Sequence, residues 1–303
     1  MTRIIIAGLD GSPESLAAAD WAAREALRQG LPLRLIHAGT WERAGYTAHV
    51  PRADPDPRRD QEERIPRDAR AGLHRRYPDL HVEADQISQQ PATALLSAAE
   101  EGGLLVLGSR RLSPVAGFLV GSVAHTVVAN AVRPVVLVRA GQAEADEHLP
   151  DLTGSRSTRS RYRDVVLGLD LARPDETVLR FAFEAAAGRV APLRVVHGWN
   201  PPASVGYSAL AMAPELTDEV KAEEDDALAT ALSPWREKYP DVAVVAEAVI
   251  GPPAHHLVEA AANASLVVVG RRMRDAGTGP FLGPVTHALM HRSAAAVAVV
   301  PHD

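Results

Sequence analysis

A chain of 303 residues, 46% hydrophobic and 23% charged, is too long for one small core and suits two domains of roughly 100–200 residues each. Its composition excludes a disordered or collagen-like chain, and a net charge of −6 argues against a general nucleic-acid binder, which needs a basic face to displace phosphate counterions. With no cysteine, disulfides, zinc–thiolate sites and thiol catalysis are excluded. No apolar run approaches the ~18 residues that span a bilayer, and the opening apolar run is too short for a signal peptide, so the cytoplasm is the expected location.

Arg3 to Asp10, RIIIAGLD, is a β-branched run stopped by Gly and Asp, as expected of a central strand buried on both faces. Asp10-Gly11-Ser12-Pro13 supplies a turn and a helix start, with Ser12 as N-cap and Pro13 at the first helical position. Leu16, Ala19, Ala23 and Leu27 mark one face of that helix, Gly30 stops it, and Leu33–His37 is the next strand, which completes a β-α-β unit. From Gly39 to about Pro57 the chain is polar and proline-punctuated, the pattern of a long loop. A charged helix from Gln61 to Tyr77, a strand at His81–Gln86 and an Ala-rich helix at Pro91–Glu101 follow.

Leu104 to Ser122 then reads as a strand ending at Gly108, a loop, and Gly121-Ser122 opening a helix that runs to Asn130. Parallel α/β proteins build anion pockets in this way, at a helix N-terminus. Val135–Val138 is the last strand of this half. Strands alternating with helices predict a doubly wound parallel sheet whose ligands sit at the C-terminal ends of its strands.

Gln142 to Arg161 has no apolar periodicity and is predicted to be an interdomain linker. After it the first half begins again. Arg163–Asp170 repeats Arg3–Asp10, Pro192-Leu193-Arg194 with His197 repeats Pro32-Leu33-Arg34 with His37, and Gly270 and Gly283 repeat Gly108 and Gly121. The whole domain is therefore duplicated, giving domains at 1–141 and 162–303 joined by 142–161.

The Asp10-Gly11-Ser12 start, the strand ending in His37 and a loop of the form G-x2-G-x9-G-[ST] resemble the universal stress protein family in a tandem two-domain form. In the first copy that loop reads Gly108, Arg111, Gly121, Ser122; in the second it reads Gly270, Met273, Gly283, Pro284. The resemblance implies an open sheet of five parallel strands per domain with helices on both faces, Rossmann-like and of the adenine nucleotide alpha hydrolase type. It implies ATP as ligand, with Mg2+ as an optional companion. Carried over position by position, Gly8, Leu9 and Asp10 line the first pocket and Ala38 offers backbone to adenine. Leu107, Gly108, Arg110 and Arg111 flank ribose and phosphates, and Gly121, Ser122 and Val123 present amides and a hydroxyl to the phosphate tail. Arg111 stands where the pattern has glycine, and it either intrudes on the ribose–phosphate path or adds a charge-assisted contact.

The corresponding second-copy positions are Leu169, Asp170, Gly198, Gly270, Arg272 and Gly283. There Pro284 removes a hydroxyl and an amide donor, Met273 replaces glycine, and Asp170-Leu171-Ala172 replaces the Asp-Gly-Ser start. An empty or altered second pocket stands beside ATP as an equal expectation.

Other candidates carry less. His37 and His197 read as satisfied structural histidines at strand ends; His287 with His291, and His255-His256 with Glu259, lack the H-E-x-x-H pattern of a zinc site. The acidic run Glu223–Asp226 reads as a solvated helix face. No P-loop, no G-x-G-x-x-G after the first strand and no G-x-S-x-G elbow is present. The expectation is an ATP-binding stress-response regulator or binder, loaded in its first domain, with little or no turnover. The alternative is a nucleotide-free interaction scaffold. Its last strands, Val135–Val138 and Ala296–Val300, would pair in a homodimer or between the two domains, with an unidentified signalling partner and neither nucleic acid nor membrane.

Overall fold

In this computed structural model the described residues are 4–39, 57–113, 117–200, 214–273 and 282–303; side chains at 57–61, 110–113, 117–119 and 214–217 are not among what is described. The loop expected from Gly39 to about Pro57 lies outside the described residues, apart from its two ends. The chain divides into two compact units, Met1–Gln142 and Ala143–Asp303.

The first unit runs β1 (Ile5–Leu9), α1 (Pro13–Gln29), β2 (Leu33–Ala38), α2 (Pro57–Arg76), β3 (Val82–Ile87), α3 (Pro91–Glu101), β4 (Leu104–Ser113), β5 (Gly117–Leu119), α4 (Ser122–Asn130) and β6 (Val135–Arg139). Its sheet has the order β3-β2-β1-β4-β6, all parallel, as the alternation of elements predicts. Every residue of β1 is buried, because the sheet is covered on both faces. On one face a Cβ on Gly8 would meet Leu95 of α3 at 3.0 Å; on the other, a Cβ on Gly108 would meet the backbone of Glu14 in α1 at 2.5 Å.

The second unit repeats this plan with β7 (Asp164–Gly168), α5 (Glu176–Arg189), β8 (Leu193–Trp199), α6 (Pro214–Lys238), β9 (Val244–Ile250), α7 (Pro253–Ala260), β10 (Ala264–Arg272), α8 (Pro284–Arg292) and β11 (Ala296–His302). Its strand order is β9-β8-β7-β10-β11, again parallel. Phe183 of α5 stacks on Trp235 and Tyr239 at the end of α6, with ring centroids 5.7 and 5.3 Å apart, and this locks the two helices of one face together. Ahead of β7, His148 and Tyr162 form an antiparallel bridge, and the Leu149 amide donates to the Arg161 carbonyl at 2.8 Å.

Two expectations are corrected. The strand that was to end at Gly108 continues to Ser113, because Ser109 still pairs with Arg139 of β6 and Arg110 and Arg111 pair antiparallel with Leu119 and Phe118 of β5. Likewise β10 passes Gly270 and ends at Arg272, which pairs with His302 of β11. A strand lasts as long as its neighbours offer a ladder, and those neighbours are β6 and β11, some thirty residues on, and the adjacent hairpin strand β5.

The two copies of the first helix differ at both ends. Ser12 caps α1, its hydroxyl oxygen accepting from the Ser15 amide at 3.2 Å. In the second unit the corresponding start is unwound, and Asp175 caps α5 by accepting from the Thr177 amide at 2.7 Å and the Val178 amide at 3.3 Å, so α5 begins about one turn later than α1. At the C-terminus, Gly30 adopts φ 63°, whereas its counterpart Val190 adopts φ 49° with its side chain 88% exposed. A β-branched residue in the left-handed region costs roughly 1–2 kcal/mol. Val190→Gly is therefore expected to stabilise the second unit by about 1 kcal/mol, even after the added chain entropy of glycine, and to raise the denaturant midpoint; an unchanged or lowered midpoint would contradict the strain.

Candidate functional site

Because the five main strands of each unit run in parallel, their C-terminal ends share one edge, and the first-unit residues singled out from sequence are at that edge. Gly8, Leu9 and Asp10 end β1, Ala38 ends β2, Leu107 and Gly108 lie in β4, and Gly121, Ser122 and Val123 open α4. Leu9 and Leu107 are buried, so any contact they offer a ligand comes from backbone. Asp10 is exposed, and its Oδ1 accepts from the Ser12 amide at 3.0 Å and from the Ser12 hydroxyl, which closes the turn into α1. Arg110 and Arg111 are strand residues by backbone, and their side chains lie outside the described residues.

His37 and His197 are each held through Nδ1, while His37 Nε2 is buried with no hydrogen-bond partner among the described residues. Nδ1–H of His37 donates to the Leu9 carbonyl at 2.8 Å, and His197 does the same to the Leu169 carbonyl at 2.9 Å. Each ring ties the last carbonyl of the central strand, where the ladder gives out.

The glycines divide by role. Gly108 is required by packing, since a Cβ there would lie 2.5 Å from both the carbonyl carbon and oxygen of Glu14. Gly121 is different: no described atom lies within 4 Å of where its Cβ would be, and as N-cap of α4 it makes no side-chain cap bond. The first helical bond runs from the His125 amide to the Gly121 carbonyl at 2.9 Å. The amides before it, those of Ser122 and Val123 among them, have no partner within the helix. The exposed Ser122 side chain stands beside them. A helix N-terminus that no described side chain caps, with a hydroxyl beside it, is suited to a phosphate.

In the second unit, Leu169, Asp170, Gly198, Gly270, Arg272 and Gly283 all line one cavity of about 760 Å³ at the same edge. Met273, where glycine was expected to be needed, does not line it; it is 37% exposed, and its amide donates to the His302 carbonyl at 2.6 Å. Pro284 does occupy the first position of α8, so that turn keeps the Val285 and Thr286 amides and loses one donor. The Thr286 hydroxyl is directed to the Gly270 carbonyl at 3.4 Å. Gly198 owes its identity to packing as well, since a Cβ would meet the Pro253 backbone at 2.6 Å.

Sequence reasoning missed several residues of this cavity. Arg173 and Asp175 line it because the start of α5 is unwound, and the Arg173-Pro174-Asp175 cue, a proline followed by a capping Asp, was there to be read. Arg271 is buried, and burial pulls its guanidinium below the usual value while leaving it a cation. His302 places Nδ1 at 3.8 Å from Asp175 Oδ2 and Nε2 at 2.7 Å from where a Cβ on Gly270 would be.

The lesser candidates are placed as follows. The His287 and His291 rings are 4.5 Å apart, and His255 is 3.6 Å from Glu259. No group of three or more metal-ligating side chains occurs among the described residues. In the acidic run, Asp225 pairs with Lys221 and accepts from the Ala248 amide at 3.2 Å, so it ties α6 to β9 and is more than a solvated face. No described helix is long and apolar enough to cross a membrane.

A model of the Universal stress protein family matches residues 1–139 and 161–301. The chain is 30% identical over 303 residues to universal stress protein Rv2005c of Mycobacterium tuberculosis, covering 97% of this chain and 96% of that one. It is 29% identical over 318 residues to universal stress protein Rv1996 of the same organism, covering 99% and 96%. The crystal structure of a universal stress protein from Archaeoglobus fulgidus matches it with a TM-score of 0.64 at 15% identity, covering 99% of this chain and 98% of that one, which is a likeness of fold.

Proposed function

The chain belongs to the universal stress protein family, and from that premise we propose that it binds ATP in its first unit and acts as a stress-response regulator or binder, with little or no turnover. The observation that carries the reading is Gly121: it caps α4 with no side chain of its own, and no described atom lies within 4 Å of where a Cβ would be. The amides of Gly121, Ser122 and Val123 and the Ser122 hydroxyl would hold the phosphate tail, and the helix dipole adds to them. Backbone at Ala38 would meet the base, while Leu107, Gly108, Arg110 and Arg111 would flank the ribose and phosphates.

Little turnover is expected because His37, the imidazole at the end of β2, is committed through Nδ1 to the Leu9 carbonyl and is buried. A general base must reach the proton that it takes. Mg2+ would arrive with the phosphates, since no cluster of three or more metal-ligating side chains occurs among the described residues.

The test is to purify the full chain from cells, release its small molecules with acid and quantify them. One ATP per chain is the expected outcome, as a single loaded pocket requires. Finding no nucleotide would instead favour a nucleotide-free scaffold.

A further inference from the structure

Helix α8 carries two histidines that the cavity does not use. His287 and His291 stand four residues apart, about one helical turn, and so project from the same face. The buried side of α8 is Thr286, Leu289 and Met290, and the histidines lie away from it, His287 exposed and His291 half-buried. Neither is among the residues that line the cavity of the second unit. Their ring centroids are 4.5 Å apart, with the planes inclined at 45°.

That separation has a chemical meaning. An imidazole nitrogen lies about 1.1 Å from its ring centroid and takes a first-row divalent ion at about 2.0–2.1 Å, so two rings on adjacent positions of a square or octahedral ion have centroids roughly 4.5 Å apart. Tetrahedral positions would separate them by about 5.2 Å. The observed spacing therefore suits Cu2+ or Ni2+, which take tetragonal sets of nitrogen and oxygen, better than Zn2+. No group of three or more metal-ligating side chains occurs among the described residues, so water would complete the shell. The neighbouring pair His255-His256 is less suited, because its rings meet edge-on at 5.7 Å and His256 Nε2 is 3.0 Å from the Ile250 carbonyl.

The duplication supplies an internal control. With Gly121 aligned to Gly283, His287 corresponds to His125 of α4, and His291 corresponds to Ala129. The first unit thus offers one exposed imidazole where the second offers two. One imidazole alone holds an ion weakly. A second on the next turn engages the same ion intramolecularly, which raises the affinity by about a hundredfold.

We propose that His287 and His291 form a two-histidine site for a divalent transition ion, Cu2+ or Ni2+, on the outer face of α8. The ion bridges one turn of a nine-residue helix whose Pro284, Val285 and Thr286 line the cavity, so the site is separate from the cavity but built on an element that borders it. The test is calorimetry with NiCl2 and with CuCl2 on the full, untagged chain after EDTA treatment and removal of the EDTA. One ion per chain is expected, with a dissociation constant on the order of micromolar. His287→Ala and His291→Ala should each weaken binding about a hundredfold, and His125→Ala should leave it within about twofold. Alanine is the strongest helix former and both side chains point away from the core, so a far-ultraviolet circular dichroism spectrum like that of the parent is expected from each variant.

Two further readouts separate chelation from loose association. Electron paramagnetic resonance of the bound Cu2+ should show two nitrogen ligands in the parent and one in either variant. NiCl2 in excess should raise the denaturant midpoint of the parent and leave that of His291→Ala unchanged, because only an ion held by the folded helix stabilises it. The inference is overturned if the parent binds no ion, if His291→Ala binds as tightly as the parent, or if His255→Ala removes the site and His287→Ala does not.

Discussion

Gly121→Val is expected to remove ATP from the first unit while leaving the fold intact. The argument rests on what surrounds the glycine. Its backbone, φ −61° and ψ 157°, is extended and suits any residue, and no described atom lies within 4 Å of its Cβ position. The substitution therefore creates no clash with the described residues; its cost is the exchange of a tolerated N-cap for a poor one, about 1 kcal/mol. The same branched side chain would project from the start of α4, where the phosphates of a bound nucleotide would approach the amides. A loss of at least about tenfold in affinity by calorimetry, with a far-ultraviolet circular dichroism spectrum like that of the parent, is the expected pair of results. Undiminished ATP binding would mean that the pocket does not use α4.

The residues show why some of this was legible in the sequence and some was not. Local signals were read correctly: Ser12 caps α1, Gly30 ends it in the left-handed conformation, and the five apolar residues of β1 are all buried. The duplication was legible because identical turn and strand residues recur at matching places, and it led to all six second-unit positions that share one cavity.

What was missed depends on partners outside the segment being read. Nothing in Ser109-Arg110-Arg111 announces a strand until β6 and β5 are beside it. Gly198 was read as offering backbone to a base, yet its identity follows from the start of α7 pressing within 2.6 Å. His302 lies in the last strand, and only the parallel pairing of β11 with β10 brings it to Arg272 and Gly270. Met273 looked obstructive because a pattern position says what residue is absent and not where the substitute points; here it is turned away from the cavity.

Gly108→Ala and Gly270→Ala, the same change at matching positions, are expected to differ widely in cost. At Gly108 the new Cβ would sit 2.5 Å from the carbonyl carbon and oxygen of Glu14 and 2.8 Å from the Ser15 amide nitrogen. Those are backbone atoms in the first turn of α1, a helix packed on β1, β4 and β6, so relief requires moving the helix off the sheet. Overpacking of this kind costs about 1–3 kcal/mol, and a rigid backbone neighbour puts this case at the upper end. At Gly270 the new Cβ would meet His302 Nε2 at 2.7 Å and Val178 Cγ2 at 3.3 Å. The imidazole is the far end of a side chain that borders the cavity, so it can rotate away, and the cost should stay below about 1 kcal/mol. Denaturant midpoints of the two variants and the parent measure the difference. Equal costs would mean that His302 is held as firmly as a helix backbone. A small cost at Gly270 alone would show that this wall can yield, whereas the wall beside Gly108, built of helix backbone, cannot.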